Sequence, residues 1–479
     1  MFRSWRGADR DRELAERFER LEGELARRDE EIAGLKNQLK ERDTRIAKLE
    51  KLLEEARRSG KRQAAPFSKD KPKRNPKKPG RKPGSKYGRQ SVRPTPVPDK
   101  TLEAPCPKQC PCGGKVGVEG SIDLYQVDIP PIQPETVKFV VGHGHCQDCG
   151  RRVRGQHPLL ISKAFEVGTV HFGPRLLAFA AFLKMICGVS YDKIRLGFEE
   201  MLGFPVARST LCRAMQRLAR RAEPTRDALV EAIRASPVVY ADETGWKQGG
   251  RRVWLWVFTN LRETVYEILP GRGFEQASSV LGKNYAGTLG VDGWAPYRRF
   301  KEATLQTCYN HLLHRCHELL ETATRGAVRF PRVVKAILQH ALALRDRRDA
   351  GQISPHGLRV AKGLLQAKMD RLLNGRFTNP DNERFAKHLR RYRDALFVFL
   401  DRADVEATNH PAEQAIRFAV VNRKTCGGGN RTAKGAKAQS ILMSVLQSSR
   451  RKGIRVIDIV TSILRAPDNT PIPMVNAER

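Results

Sequence analysis

The chain has 479 residues and carries 88 Lys+Arg against 52 Asp+Glu, a formal charge of +36. A surplus of that size points to a polyanionic partner, with nucleic acid first and an anionic membrane surface second. The best apolar run, Leu176 to Val189, is too short to span a bilayer and is broken by Lys184, and the charged N-terminus has no signal-peptide pattern, so a cytoplasmic protein without a membrane partner is expected.

Residues 8–58 read as a coiled coil. The apolar seam runs Leu14, Phe18, Leu21, Leu25, Ile32, Leu35, Leu39, Ile46, Leu49 and Leu53, interrupted only by Arg28 and Arg42. A lone helix would leave that stripe in water, so a homo-oligomer is predicted. Residues 59–100 form a linker rich in Pro, Gly, Lys and Arg, whose only acids are Asp70 and Asp99. It cannot bury a core and is predicted to be disordered when free, a basic arm suited to a phosphate backbone.

Residues 101–158 hold five of the ten cysteines. Cys146 and Cys149 form a Cys-x-x-Cys followed by glycine, the thiolate spacing that suits tetrahedral Zn²⁺. The first half-site is irregular. Cys106 with Cys112 completes the set, with Cys110 as the alternative ligand and His143 or His145 as further alternatives. The stretch from Ser121 to Val141 alternates enough for two short strands, and a zinc ribbon is expected. Residues 166–234 read as a helical, helix-turn-helix-like DNA-binding domain. The turn falls at Gly203 to Val206, Ser209 or Thr210 caps the second helix, and Arg208, Arg213, Arg217, Arg220 and Arg221 line it. An ordinary helical hairpin with solvated arginines has the same pattern.

Residues 235–449 change character. Strand signals appear at Val238–Ala241, Val253–Thr259, Thr264–Leu269, Thr288–Val291 and Leu305–Cys308, with a helix at Glu275–Leu281. That order is expected of an α/β RNase H-like core with a mixed sheet and helices on both faces. A helical, basic insertion spans about 322–400. PVVYADETGW and GTLGVDGWAPY each end an apolar strand in an acid, Asp242 and Asp292. Glu413 sits in the first turn of a helix capped by Asn409, with Arg417 one turn on. Alone, each acid reads as a cap or an ion-pair partner. Together, on adjacent strand ends and a nearby helix, they cannot all ionise without cations. Two Mg²⁺ would satisfy them and build a phosphoryl-transfer site, with Mn²⁺ as a substitute. Arg417, Arg423, Lys424 and the loop NRKTCGGGNRTAKGAK suit a DNA backbone. Residues 450–479 are expected to be a C-terminal tail.

PVVYADETGW, LGVDGWAPY, CYNHLLHR and ATNHPAEQAIRFAVVNRKTCGG resemble the transposases of the insertion-sequence 66 family. The resemblance runs roughly from Leu14 to Ile459. It implies a prokaryotic, nucleoid-associated DDE enzyme that binds the terminal inverted repeats of its element and joins cut ends to target DNA, with room for accessory proteins encoded by the same element. On the family pattern Asp242, Asp292 and Glu413 are the catalytic acids, and Cys308-x-x-His311 resembles a signature that places His311 at the scissile phosphate. The first zinc half-site departs from the family's usual Cys-x-x-Cys. A metal-dependent nuclease or resolvase on the same core, and a catalytically inactive DNA-binding regulator, are the rival expectations.

Overall fold

A computed structural model describes residues 5–59, 94–161, 171–426 and 428–474. Most of the basic linker therefore lies outside the described residues. The chain divides into two compact units, Met1–Ser68 and Lys69–Arg479. The first is one helix, α1 (Trp5–Ser59). Leu21, Leu25, Ile32, Leu35, Leu39, Ile46 and Leu49 are all exposed along it. Among the described side chains the heptad stripe is thus exposed along the helix.

The second unit opens with a minimal hairpin, β1 (His143–His145) paired antiparallel with β2 (Arg152–Arg154). The strands expected between Ser121 and Val141 do not form, because that extended stretch finds no pairing partner. Then come α2 (Pro174–Ala181), which runs on as a π-helical turn over Phe182–Ile186, α3 (Tyr191–Leu202) and α4 (Arg208–Arg234). Ser190 caps α3, accepting from the Lys193 N–H. The cap expected at Ser209 or Thr210 is absent. Both residues lie inside α4, whose N-cap is Ala207.

A five-stranded mixed sheet follows, in the order β5-β4-β3-β6-β7. Its strands are β3 (Val238–Gln248), β4 (Arg251–Thr259), β5 (Thr264–Leu269), β6 (Thr288–Val291) and β7 (Thr304–Thr307). The first three meander antiparallel, while β6 and β7 run parallel to β3. Helix α5 (Phe274–Leu281) makes the crossover from β5 to β6. A 3₁₀ turn at Ala295–Arg299 separates β6 from β7. β3 continues past its apolar run to a two-residue turn at Gly249 and Gly250, with φ of 56° and 78°. Two successive positive φ values match the right-handed twist of the hairpin. Asp242 therefore lies within β3, opposite Val257 of β4, rather than at the strand's end.

A helical segment follows β7. It comprises α6 (Tyr309–Thr322), α7 (Arg329–Asp349), α8 (Pro355–Leu373), α9 (Pro380–Arg391) and the short α10 (Val398–Asp401). The chain then returns to the sheet as α11 (His410–Thr425) and α12 (Ala433–Arg451). β5 is an edge strand, and α12 covers it. The N–H groups of Thr264 and Tyr266 donate to Ser448 Oγ at 2.9 Å and Ser444 Oγ at 2.8 Å. Serines one helical turn apart thus take the place of a sixth strand and close an edge open to aggregation. Of the expected tail, residues 450–474 pack on the core. They include α13 (Val456–Arg465), which buries Val456, Ile459, Val460 and Ile463 against α2 and α4, because its apolar residues recur at helical spacing.

Candidate active site

The sheet register sets two of the three acids side by side. β3 and β6 pair in parallel as far as Tyr240 with Gly290. Asp242, within β3, and Asp292, just past β6, each follow two residues later, at the same level. Asp242 Oδ1 accepts from the Glu243 N–H at 2.8 Å, and Asp292 Oδ1 accepts from the Trp294 N–H at 2.8 Å. Burial pushes the Asp242 carboxyl up to about 7, and the negative charges of Glu243, Asp292 and Glu413 add to the shift. A crowd of carboxylates in a half-dry site favours protonation or a cation.

Glu243 points the other way. Its side chain is fully buried, accepting from Arg272 Nε at 2.5 Å and from the Tyr297 hydroxyl at 2.7 Å. Burial raises its carboxyl, and the Tyr297 hydrogen bond opposes that. Arg272 extends from this pair towards Asp292, with Nη2 3.8 Å from Oδ2. Its guanidinium lies 4.1 Å from the Trp294 ring centroid and 5.0 Å from that of Trp254. Arg272, Tyr297 and Trp294 escaped the sequence reading. The only signal was an aromatic two residues past Asp292.

Glu413 arrives on the first turn of α11. Among the described residues it makes no ion pair with Arg417. Its Oε1 lies 3.6 Å from both Cys308 Sγ and His311 Nδ1. Asn409 occupies the N-cap position but does not cap with its side chain. Its amide instead donates to the Ala241 carbonyl at 2.8 Å, one residue before Asp242. Cys308, the N-cap of α6, donates its N–H to the Val291 carbonyl at 2.8 Å, one residue before Asp292. Burial raises the Cys308 thiol to about 11, opposed by the N–H groups of Asn409, His311 and Asn310. From the helical segment, Tyr392 donates its hydroxyl to the Gly293 carbonyl at 2.7 Å. His388 stands near Asp292, its imidazole held below the usual range chiefly by burial. The insertion thus reaches the site itself.

The whole sequence was also compared with models of known protein families. A family model described as "Transposase IS66 family" matches residues 169–438, more than half of the chain. The chain belongs to the IS66 transposase family. No curated protein matches it.

In this IS66 transposase the three acids do not close to within 4.8 Å of one another, whereas Cys308, His311 and Glu413 do. All-oxygen donors and the raised Asp242 carboxyl nonetheless fit a hard divalent cation, which would relieve the repulsion that keeps the acids apart. The basic candidates divide. Arg208, Arg213, Arg217 and Arg220 are exposed on α4, the last three along one face, and Arg417 and Lys424 are exposed on α11. Arg221 instead binds the carbonyls of Ile463 and Leu464 and the Asp468 carboxylate. Arg423 turns inward to the Gly245 carbonyl and stacks over Trp246 at 5.2 Å.

The thiols of residues 101–158 are not brought into one coordination sphere among the described residues. Each half nevertheless forms a matching turn. The Cys146 N–H donates to Arg151 O and the Gly150 N–H to Cys146 O, while the Cys110 N–H donates to Gly114 O and the Gly113 N–H to Cys110 O. The second turn is one residue shorter, with Cys112 in the place of Cys149. The N–H groups of Cys149 and Asp148 hold the Cys146 thiol below its ordinary range. The Gly114 N–H and the Cys110 side chain do the same for Cys112. Thiols already disposed to ionise fit Zn²⁺.

Proposed function

We propose that the protein is a DDE transposase with an RNase H-like core, and that Asp242, Asp292 and Glu413 are its catalytic acids. The observation that carries this reading is the level placement of Asp242 and Asp292 on adjacent parallel strands, with Glu413 close enough to raise the Asp242 carboxyl. Mg²⁺ held by these acids would supply Lewis-acid activation of the attacking hydroxyl and stabilisation of the leaving oxygen. The protein's own groups do the rest. Asn409 and Cys308 hold the backbone carbonyls just before Asp242 and Asp292. His311, with its side chain 53% exposed, can donate to a phosphate oxygen. Arg272 offsets the charge of Asp292.

The exposed arginines of α4, with Arg417 and Lys424, would track the DNA backbone, giving binding that weakens steeply with salt. The uncovered stripe of α1 would pair protomers so that two element ends are held together. Zn²⁺ would sit between the two cysteine turns, on Cys110, Cys112, Cys146 and Cys149, rather than on Cys106. The test is cleavage and joining on a plasmid carrying the element's own ends, with Mg²⁺ or with EDTA, for wild type and Asp292→Asn. Metal-dependent joined products from wild type alone are expected. Cut ends that never join would indicate a nuclease, and binding without cutting a regulator.

A further inference from the structure

Cys308, His311 and Glu413 form the one group of three or more metal-ligating side chains among the described residues whose donor atoms all lie within 4.8 Å of one another. The hard-metal chemistry proposed above uses Glu413 and has no use for a thiol. We infer that these three residues make a second metal site, for a thiophilic divalent cation such as Zn²⁺, and that its occupation draws Glu413 away from Asp242 and Asp292 and stops the reaction. The inhibitory half of this inference rests on Glu413 being a catalytic acid. The binding half does not.

The donor set selects the cation. One sulfur, one imidazole nitrogen and one carboxylate oxygen suit Zn²⁺ and disfavour Mg²⁺, which takes oxygen ligands in near-octahedral order. Two of the three ligand separations already match, and the third lies within 4.8 Å. Glu413 Oε1 lies 3.6 Å from Cys308 Sγ and 3.6 Å from His311 Nδ1. A tetrahedral ion with Zn–O and Zn–N bonds near 2.0 Å and a Zn–S bond near 2.3 Å needs ligand separations of about 3.3–3.6 Å. Burial disfavours a bare thiolate at Cys308, and three backbone N–H groups face the sulfur and partly offset that burial. The Asn409 N–H lies 3.2 Å from the sulfur, and the N–H groups of Asn310 and His311, opening α6, point the same way. Coordination would replace the thiol proton, which leaves to solvent. Cys308 is buried, but His311 and Glu413 have side chains 53% and 32% exposed, so an ion can enter from their side.

The test uses the full-length protein. Bound Zn²⁺ is counted after equilibrium dialysis for wild type, Cys308→Ser, His311→Ala and Cys146→Ser. Wild type should hold one equivalent more than either Cys308→Ser or His311→Ala. Cys146→Ser should lose a different equivalent and keep this one. Equal counts in wild type and in both site variants would overturn the site, as would an extra equivalent that persists in both. His311 is exposed, so its variant gives the answer even if Cys308→Ser folds poorly. This count needs no DNA and stands whatever becomes of the transposase reading. The second arm measures Mg²⁺-dependent cleavage against added Zn²⁺, each protein relative to its own uninhibited rate. The midpoint should rise at least tenfold in His311→Ala. An unchanged midpoint would overturn the inhibitory role.

Discussion

Asn409 donates its side-chain amide to the carbonyl of Ala241, although 168 residues separate them. Its backbone N–H points at the Cys308 sulfur, and the Cys308 N–H holds the Val291 carbonyl. The residue before each strand acid is thus pinned by the segment that leads into α6 or α11. Neutral hydrogen bonds thus fix the backbone just before each of these two acids, while Arg272 stands beside the Asp292 carboxylate.

Asn409→Leu should expose this. It leaves the Ala241 carbonyl buried without a donor, which costs about 1–3 kcal/mol. DNA affinity should stay near wild type, because the exposed arginines are untouched. Cleavage should fall at least tenfold as Glu413 loses its anchor. Thermal melts, filter binding and single-turnover cleavage measure the three. Full cleavage in a destabilised Asn409→Leu would refute the positioning role.

Arg272→Met should destabilise the fold by about 2–3 kcal/mol. That is less than the ~3–5 kcal/mol for breaking a fully buried pair, since the Arg272 side chain is 29% exposed. The loss comes from stranding the Glu243 carboxylate. Adding Glu243→Gln removes that charge, keeps a partner for Tyr297 and should recover most of the stability. A double variant no more stable than the single one would show that the stacking of Arg272 between Trp254 and Trp294 matters more than the ion pair.

The metal-free protein should lose stability as pH rises. Asp242 has its carboxyl raised in the folded state to about 7, so the folded protein binds the proton more tightly than the unfolded chain does. This contribution is fully present below the unfolded value near 4 and is lost as pH climbs through 7. In EDTA, Asp242→Asn should therefore melt several degrees above wild type at pH 8 and close to it at pH 4. Mg²⁺ should stabilise wild type at pH 8 and leave Asp242→Asn little changed. Parallel melting curves across this range would contradict the crowded-carboxylate site.

The strands leading to Asp242 and Asp292 were legible as apolar runs followed by an acid, although β3 continues past Asp242 to Gln248. The parallel pairing of β3 with β6 followed from strand order. What escaped depends on partners distant in sequence. An asparagine before a helical proline reads as a cap, and nothing local says that its amide reaches Ala241. Ser444 and Ser448 read as ordinary helix residues until β5 proves to be an edge. Arg221 and Arg423 look like their exposed neighbours, since a guanidinium on a basic helix carries no mark of the carbonyl it will find. The C-terminal segment read as a tail because its ten-residue helix gains stability from packing on α2, α4 and α12.

Zinc content should separate the two readings of the first cysteine half-site. The paired turns place Cys110 and Cys112 in equivalent positions to Cys146 and Cys149, and leave Cys106 four residues upstream. Cys110→Ser and Cys112→Ser should each lose the chelator-resistant Zn²⁺ along with Cys146→Ser, while Cys106→Ser keeps it. Loss on Cys106→Ser with retention on Cys110→Ser would restore the expectation drawn from sequence alone.

Gly429→Ala tests whether the glycine-rich loop serves the fold or the DNA. Asn430 joins this loop to the β3–β4 hairpin. Its N–H donates to Lys247 O at 2.9 Å, its carbonyl accepts from the Gly249 N–H at 2.8 Å, and its Oδ1 accepts from Trp246 Nε1 at 2.8 Å. A Cβ on Gly429 would run into the Lys247 carbonyl oxygen and backbone, which cannot swing aside as a side chain can. Overpacking of this kind costs about 1–3 kcal/mol. The melting temperature should drop accordingly, with Trp246 fluorescence shifting as its bond to Asn430 is strained. The salt dependence of DNA binding should not change, since no phosphate contact is lost. If instead Gly429→Ala melts like wild type but binds DNA with a shallower salt slope, the loop's glycines face the backbone of the nucleic acid rather than the hairpin.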